Sequence, residues 1–384
     1  MEKRVSDIPT RIGIVGSGYI SQGLILILKK YPDLMLSRVL TRTDIRTRNG
    51  FPGRHFLTNS VEDLIENVDL IIECSGNPVY ATDIIDKVMQ AHLPVITMDS
   101  EFQITTGSYF SRKGYLTEAE GDQPGCLAAM KEEAGQMGFR PLVYGNVKGY
   151  LNTNPTPAEM VYWSQKNHIQ LDKTIAFTDG TKVQIEAAFV ANGLGADILA
   201  PGLSGVKTDD IYASSADLAA KAKLLGSPVS DYVLSSGSSG QVFITGEHDK
   251  GLHEALRFYK MGDGPFYTLI RNYHLSFFEI VKTIHRVLRG EGILINNGKF
   301  PNISVAAITK RRISKGEKIV SGIGSYDTRG IAIRINDNPD HVPIGLLKDA
   351  VVTRTLKPGQ QISFDDMELP PTLALEIWQK MTKR

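Results

Sequence analysis

Along its first hundred residues the chain alternates short apolar runs with stretches whose apolar residues recur at helical spacing. Residues 11–16, Arg-Ile-Gly-Ile-Val-Gly, predict a short buried strand. Residues 19–30 then space Ile20, Leu24, Ile27 and Leu28 as one face of a helix, and Pro32 lies just beyond its end. The same reading predicts a strand over 35–40, a helix over 61–68, a strand over 69–74, a helix over about 80–91 and a strand over 94–98. Gly76-Asn77-Pro78 breaks the chain between the third strand and its helix. Strands alternating with helices imply right-handed crossovers and a doubly wound parallel sheet, hence an α/β protein. After residue 100 the alternation weakens. Three domains are expected: residues 1–150, a substrate or dimerisation domain of α+β type over 151–300, and a small β-rich domain over 301–384.

The sharpest local signal is Gly16-Ser17-Gly18-Tyr19-Ile20-Ser21. It follows a predicted strand and opens a predicted helix, the context in which a glycine-rich turn binds a dinucleotide. Gly16 permits the tight turn. Gly18, Tyr19 and Ile20 bring backbone close to a pyrophosphate, whose charge suits a helix N-terminus. Ser21 stands where glycine or alanine is usual, and is still small. The expectation is a Rossmann domain. At the tip of the second strand, Thr41-Arg42-Thr43 offers no acid for a ribose 2′-hydroxyl, although Asp44 is close. Arg42 suits a 2′-phosphate, so NADP(H) is expected in preference to NAD(H). Ser75 and Gly76, after the strand ending at Cys74, are expected beside the nicotinamide ribose. Cys74 itself reads as a small buried hydrophobe.

Two residues between 117 and 149 carry candidate chemistry. Asp122 precedes Gln-Pro-Gly and is well placed to cap a helix. Lys148 lies between glycines after an apolar strand, where an ammonium near a carbonyl would supply the proton that accompanies hydride transfer. Its plain alternative is a surface lysine on a turn. Asp179-Gly180 alone signals a hairpin turn.

Taken together, Gly-Asp122-Gln-Pro-Gly, Gly145-Asn146-Val-Lys148-Gly, Asn154-Pro, Thr178-Asp179-Gly-Thr-Lys182, Tyr259-Lys260-Met-Gly-Asp-Gly-Pro265-Phe-Tyr267 and Tyr273-His274-Leu275 resemble the homoserine-dehydrogenase-like oxidoreductases that carry a C-terminal SAF domain. That family includes a 1-deoxy-D-xylulose 5-phosphate reductoisomerase-like enzyme of isoprenoid biosynthesis and oxidoisomerases of branched sugar acids. The run Arg354 to Gly359 is similar to the turn of the β-clip-like SAF module. The resemblance implies NAD(P)-dependent redox chemistry, with Lys148, Lys182 and Asp122 as catalytic residues and Asn146 and Asp179 near the substrate. Lys260 and Arg271 are candidates for an anionic group of the substrate, with His274 as a proton shuttle or a structural histidine. A skeletal isomerisation would need an enediolate stabilised by charge, and Glu118, Glu120 and Asp122 would share one face of an extended segment as metal ligands. The commoner meaning of such a run is a solvated acidic loop.

Three functions follow. The first is an NADP-dependent reductase or reductoisomerase of a small polyhydroxylated carbonyl compound. The second is a homoserine dehydrogenase, and the third a dinucleotide-sensing or sugar-binding protein without chemistry. Composition narrows the setting. The 384 residues are 42% hydrophobic with a net charge of +1, which gives no reason to expect nucleic acid or a membrane as partner. Two cysteines fit a reducing compartment, the mixed charges of residues 1–10 do not read as a signal peptide, and no apolar run spans a bilayer. A cytoplasmic homo-oligomer with a small-molecule substrate is expected.

Overall fold

A computed structural model describes residues 8–237 and 240–382. Residues 1–7, which carry most of the charged N-terminal stretch, lie outside the described residues.

The first sheet is built as the periodicity predicts. β1 (Thr10–Val15), α1 (Tyr19–Leu28), β2 (Leu34–Leu40), β3 (Leu57–Thr58), α2 (Val61–Glu66), β4 (Leu70–Glu73), α3 (Pro78–Gln90) and β5 (Val95–Thr97) follow in order. α4 (Ser100–Phe102), a π-turn and α5 (Ser108–Phe110) lead into β6 (Leu116–Glu118). The six strands are all parallel in the order β3-β2-β1-β4-β5-β6. Because both faces are covered, β1 and β4 are apolar nearly throughout.

A second, mixed sheet begins where the first ends. α6 (Gln123–Gln136) leads to β7 (Arg140–Lys148), then α7 (Pro157–Asn167), α8 (Leu171–Thr178), α9 (Thr181–Leu194), β8 (Val206–Lys207) and α10 (Ile211–Leu225). β9 (Val229–Leu234), β10 (Gln241–Glu247), α11 (His253–Phe258) and β11 (Phe266–Arg271) complete it. The order is β11-β10-β7-β9-β8, with β7 at the centre. Tyr144 packs with Cys126 of α6 and Val190 of α9, while Val143 and Val147 face Leu218 and Ala222 of α10. Alternate residues of β7 therefore face opposite layers, and Asn146 and Lys148 fall on the α6/α9 side.

α12 (Ile280–Leu288) returns to the first domain and buries Ile280, Val281 and Ile284 against α1. The C-terminal part is β-rich: β12 (Ile303–Thr309), β13 (Lys318–Ser321), β14 (Thr328–Arg334), β15 (Lys348–Val352) and β16 (Met367–Glu368). β12 pairs with β14, and β13-β15-β16 form a small sheet. The last helix, α13 (Leu373–Thr382), sends Ile377 into the core of α2 and α3. The Asp179-Gly180 hairpin is corrected: Asp179 ends α8 and Gly180, at φ +85°, turns the chain into α9. Helices on both sides, and no strand partner in register, override the local turn signal.

Candidate active site at the carboxyl edge of the parallel sheet

Gly16 has φ +106°, and a Cβ there would lie 2.9 Å from the Cys74 carbonyl oxygen, so the turn from β1 admits only glycine. Gly18 is the N-cap of α1, with no protein atom within 4 Å of where its Cβ would stand. No side chain caps this helix, and its first turn carries no acid. The N–H groups of that turn are thus open to a phosphate. Tyr19 is exposed and meets Phe277 edge-on, and Ile20 is partly buried against the sheet. The hydroxyl oxygens of Ser21 and Ser75 are buried without a partner among the described residues. Such a cradle fits a dinucleotide.

Arg42 lies 4.6 Å from the ring centre of Tyr80. The sequence reading missed Arg48, which reaches back to the glycine turn: its Nη2 donates to the Ser17 carbonyl at 3.0 Å and contacts the Ser17 hydroxyl. Asp44, the only nearby acid in the run, is turned onto Arg46 at 2.8 Å. Arg48 had no distinguishing signal, being one of four arginines in a connection without periodicity.

The carboxyl ends of the strands gather charge. Glu73, Thr97 and Glu118 stand in register on β4, β5 and β6 and share one face. The Thr97 hydroxyl donates to Glu118, and the Ser75 N–H donates to Glu73 at 2.8 Å. One oxygen each of Glu73, Asp99 and Glu118 is buried without a partner among the described residues. Burial raises the Glu73 carboxyl to about 7, and it raises Asp99 and Glu118 well above the usual carboxylate range. Glu73, which closes the apolar run of β4, is a signal readable in the sequence.

Beside this row, alternating charges link five segments. Glu101 lies between Lys182, at 3.1 Å, and Lys173 of α8, at 3.6 Å. Burial opposes its ionisation, but the two ammonium groups prevail and hold it below its ordinary value. Lys182 also lies 3.8 Å from Asp122 and 3.9 Å from Glu186, one helical turn on. Burial works against its charge, yet Glu101 and the other acids hold it protonated well above the usual lysine range. Lys148 donates to Gln123 at 3.0 Å and lies 3.3 Å from Glu186, whose carboxyl is raised by burial. Asp122 caps α6, as its position before Gln-Pro-Gly predicts, and accepts from Ser100 at 3.0 Å. Lys148, Lys182 and Asp122 are therefore brought together, with Glu101, Glu186 and Lys173 as members the sequence did not reveal. Asn146, on the face of Lys148, keeps a buried amide oxygen without a partner among the described residues. Lys173 also donates to the Gly76 carbonyl at 3.3 Å, tying this network to the loop of Ser75 and Gly76.

Other expected residues lie elsewhere. Asp179 is sealed against Lys310, with side-chain exposures of 0% and 2%, which corrects its placement at the substrate. Arg271 is engaged by Glu279 and by Glu120 at 3.3 Å. Lys260 lies before β11 and Arg271 at its far end, so the expected anion pair does not form. The Nδ1–H of His274 donates to the Gly240 carbonyl, 2.8 Å away. Glu118, Glu120 and Asp122 do not share a face toward an ion: Glu118 turns to Thr97, Glu120 to Arg271 and Lys282, and Asp122 to Ser100 and Lys182. Among the described residues no group of three His, Cys, Asp or Glu is arranged to hold a metal.

Residues 121–280 match the family described as "Oxidoreductase DRL, catalytic domain". The chain carries an oxidoreductase catalytic domain; it is an enzyme. The matched segment contains Asp122, Lys148 and Lys182 and nearly every run that suggested the homoserine-dehydrogenase-like, SAF-bearing family. That assignment is corrected accordingly, and with it fall the homoserine dehydrogenase, SAF, reductoisomerase and isoprenoid readings, none of which the comparisons support. No curated protein matches. Among solved structures, the chain is similar to a dehydrogenase (MviM) from Clostridium difficile, at 13% identity over 75% of this chain and 94% of that one, with a TM-score of 0.43. A probable dehydrogenase from Thermotoga maritima is 15% identical over 75% and 91%, TM-score 0.43. The UDP-N-acetylglucosamine 3-dehydrogenase GnnA from Acidithiobacillus ferrooxidans is 12% identical over 76% and 92%, TM-score 0.44. No described helix is long and apolar enough to cross a membrane.

Proposed function

We propose that this chain is an NADP-preferring enzyme that interconverts a hydroxyl and a carbonyl on a small polyhydroxylated compound. The observation that carries the reading is the buried network of Lys148, Glu186, Lys182 and Asp122 beside the glycine turn, at the edge where open α/β sheets bind ligands. The residues of the cradle fit NADP: the first turn of α1 would hold the pyrophosphate, and Arg42 and Arg48 the 2′-phosphate. When bound, the reduced nicotinamide supplies hydride.

The chain's own residues divide the remaining work. Lys182, held firmly as an ammonium, offers fixed positive charge to an oxygen that becomes negative. Lys148 is more exposed, at 20%, and donates the proton to that oxygen, with Glu186 at its back. Gln123, on Lys148, Asp122, beside Lys182, and Asn146, with its unengaged amide oxygen, orient substrate hydroxyls. A site lined by paired charges and free amide and carboxyl oxygens is suited to many hydroxyls and poorly suited to an apolar ketone.

The test is NADPH oxidation measured at neutral pH against a panel of hydroxylated and unsubstituted ketones and aldehydes, repeated with NADH. Turnover of the hydroxylated compounds with NADPH is expected. Equal use of NADH would remove the cofactor preference, and turnover confined to unsubstituted carbonyls would remove the substrate class.

A further inference from the structure

α9 is covered on two sides that do different things. Lys182 and Glu186 look toward the site. Thr181, Gln184, Ile185 and Ala188 look the opposite way, onto the β12–β14 ribbon of the C-terminal module. The Gly330 N–H donates to the Thr181 hydroxyl at 2.9 Å, and the Ala332 N–H donates to the Gln184 side chain at 2.8 Å. Ile185 and Ala188 share a core with Ile303, Val305, Ala307 and Ala332.

At the start of this contact sits Lys310, just beyond β12. Its Nζ donates to Asp179 at 2.5 Å and to the Ser325 carbonyl at 2.7 Å. Asp179 also accepts from the Thr181 N–H at 2.8 Å. The ammonium is thus satisfied from the module and the carboxylate from the turn. Two residues separate Asp179 from Lys182, one of them Gly180 in a left-handed conformation, so the lever is short. The module touches α8 as well: a Cβ on Gly324 would lie 2.2 Å from the Asp172 carbonyl, beside Lys173. Both helices that bring a lysine to Glu101 are therefore gripped by the same module.

We infer that Lys310 is a positioning residue of this enzyme: by holding Asp179 it fixes the turn from which Lys182 is aimed at Glu101 and Asp122. The inference rests on the proposed role of Lys182. A sealed ion pair is weak evidence for stability, because desolvation offsets its attraction; its best use is to specify geometry. Here the geometry specified is that of a reacting-site lysine three residues away, and the C-terminal module acts in cis on the site without touching substrate.

The test is competitive acetylation with acetic anhydride on the full chain, read by mass spectrometry at Lys182. Lys221 serves as an exposed reference and Lys131 as a half-buried one. Lys310→Met is expected to raise the labelling of Lys182 at least threefold against both references. Because removing one partner of a buried pair is costly, Asp179→Leu combined with Lys310→Met provides a second variant, in which no charge is left alone. Thr181→Ala, which spares the pair, is the third and mildest. Unchanged labelling of Lys182 in folded Lys310→Met or in the double variant overturns the inference, as does a rise shared equally by Lys131, which reports general loosening. Turnover of Lys182→Ala is measured alongside. If it is normal, the chemical role of Lys182 fails while the labelling result still stands on its own.

Discussion

The glycine turn after β1 and the charged surface of α9 are both parts of the proposed site, yet they are encoded differently. The turn is local: Gly16 and Gly18 act within three residues, and steric need at Gly16 is visible in its φ of +106°. The α9 surface is assembled from afar. Lys182 meets Glu101 from after β5, Asp122 from before α6, and shares Glu186 with Lys148 at the end of β7. A motif can announce the first. The second exists only once four segments have folded together.

The largest expected effect separates these two parts. Lys148→Ala should lose about 100- to 10,000-fold in turnover, the usual range for a positioned proton donor, while NADPH affinity stays within about twofold. Steady-state kinetics with the best carbonyl from the panel checks it. Near-normal turnover would return Lys148 to the status of a β-strand end. Next is Glu101→Gln, which leaves Lys182 and Lys173 facing each other without their shared carboxylate. Breaking a buried pair from one side costs about 3–5 kcal/mol, so a large drop in the urea midpoint is expected. A small drop would mean that water reaches the cluster.

The carboxylate row gives the third prediction. Glu73 binds its proton more tightly folded, near 7, than in an unfolded chain at 4.5. Between those values the folded state carries more protons, so stability falls as pH rises through this window and levels off above it. The span corresponds to about 3 kcal/mol. Urea melts from pH 5 to pH 8 should show the slope, and Glu73→Gln should flatten it. A slope that persists in the variant would place the titration on another of the buried acids. Fourth is the cofactor loop: Arg48→Ala should weaken NADPH binding about tenfold and leave NADH nearly unchanged, a loss near 1.4 kcal/mol. Equal weakening of both would mean that Arg48 only braces the Ser17 turn.

Legibility followed the same divide. Alternating periodicity located β1, α1, β2, α2, β4, α3 and β5 to within a few residues, because each buries its own apolar face. β6 was missed, being three residues long, two of them polar. Asp122, Lys148 and Lys182 were found, but Glu101, Glu186 and Lys173 were not, since nothing in their neighbourhoods marks them until the helices cross. Asp179 was misplaced for the complementary reason: its partner, Lys310, is 131 residues away.

Lys260 supplies the smallest effect and sharpens the contrast between charge that is built in and charge that is merely nearby. α11 ends in a Schellman turn, with the Met261 N–H donating to the Leu256 carbonyl at 2.9 Å and the Lys260 N–H to the Arg257 carbonyl at 3.0 Å. That places Lys260 at the position after the cap, in the left-handed region at φ +64°, where glycine is the usual residue. Its side chain is exposed, and no ion pair to it occurs among the described residues. The lysine therefore stops a helix at some backbone cost. Lys260→Ala should leave turnover and both Michaelis constants within about twofold, since surface changes away from special features stay within about 0.5 kcal/mol. Lys260→Gly should raise stability by up to about 1 kcal/mol, because glycine adopts this conformation without the Cβ clash. A salt-dependent rise in substrate KM in either variant would restore Lys260 as an anion contact, and a lower melting temperature for the glycine variant would show that chain entropy outweighs the relief of strain.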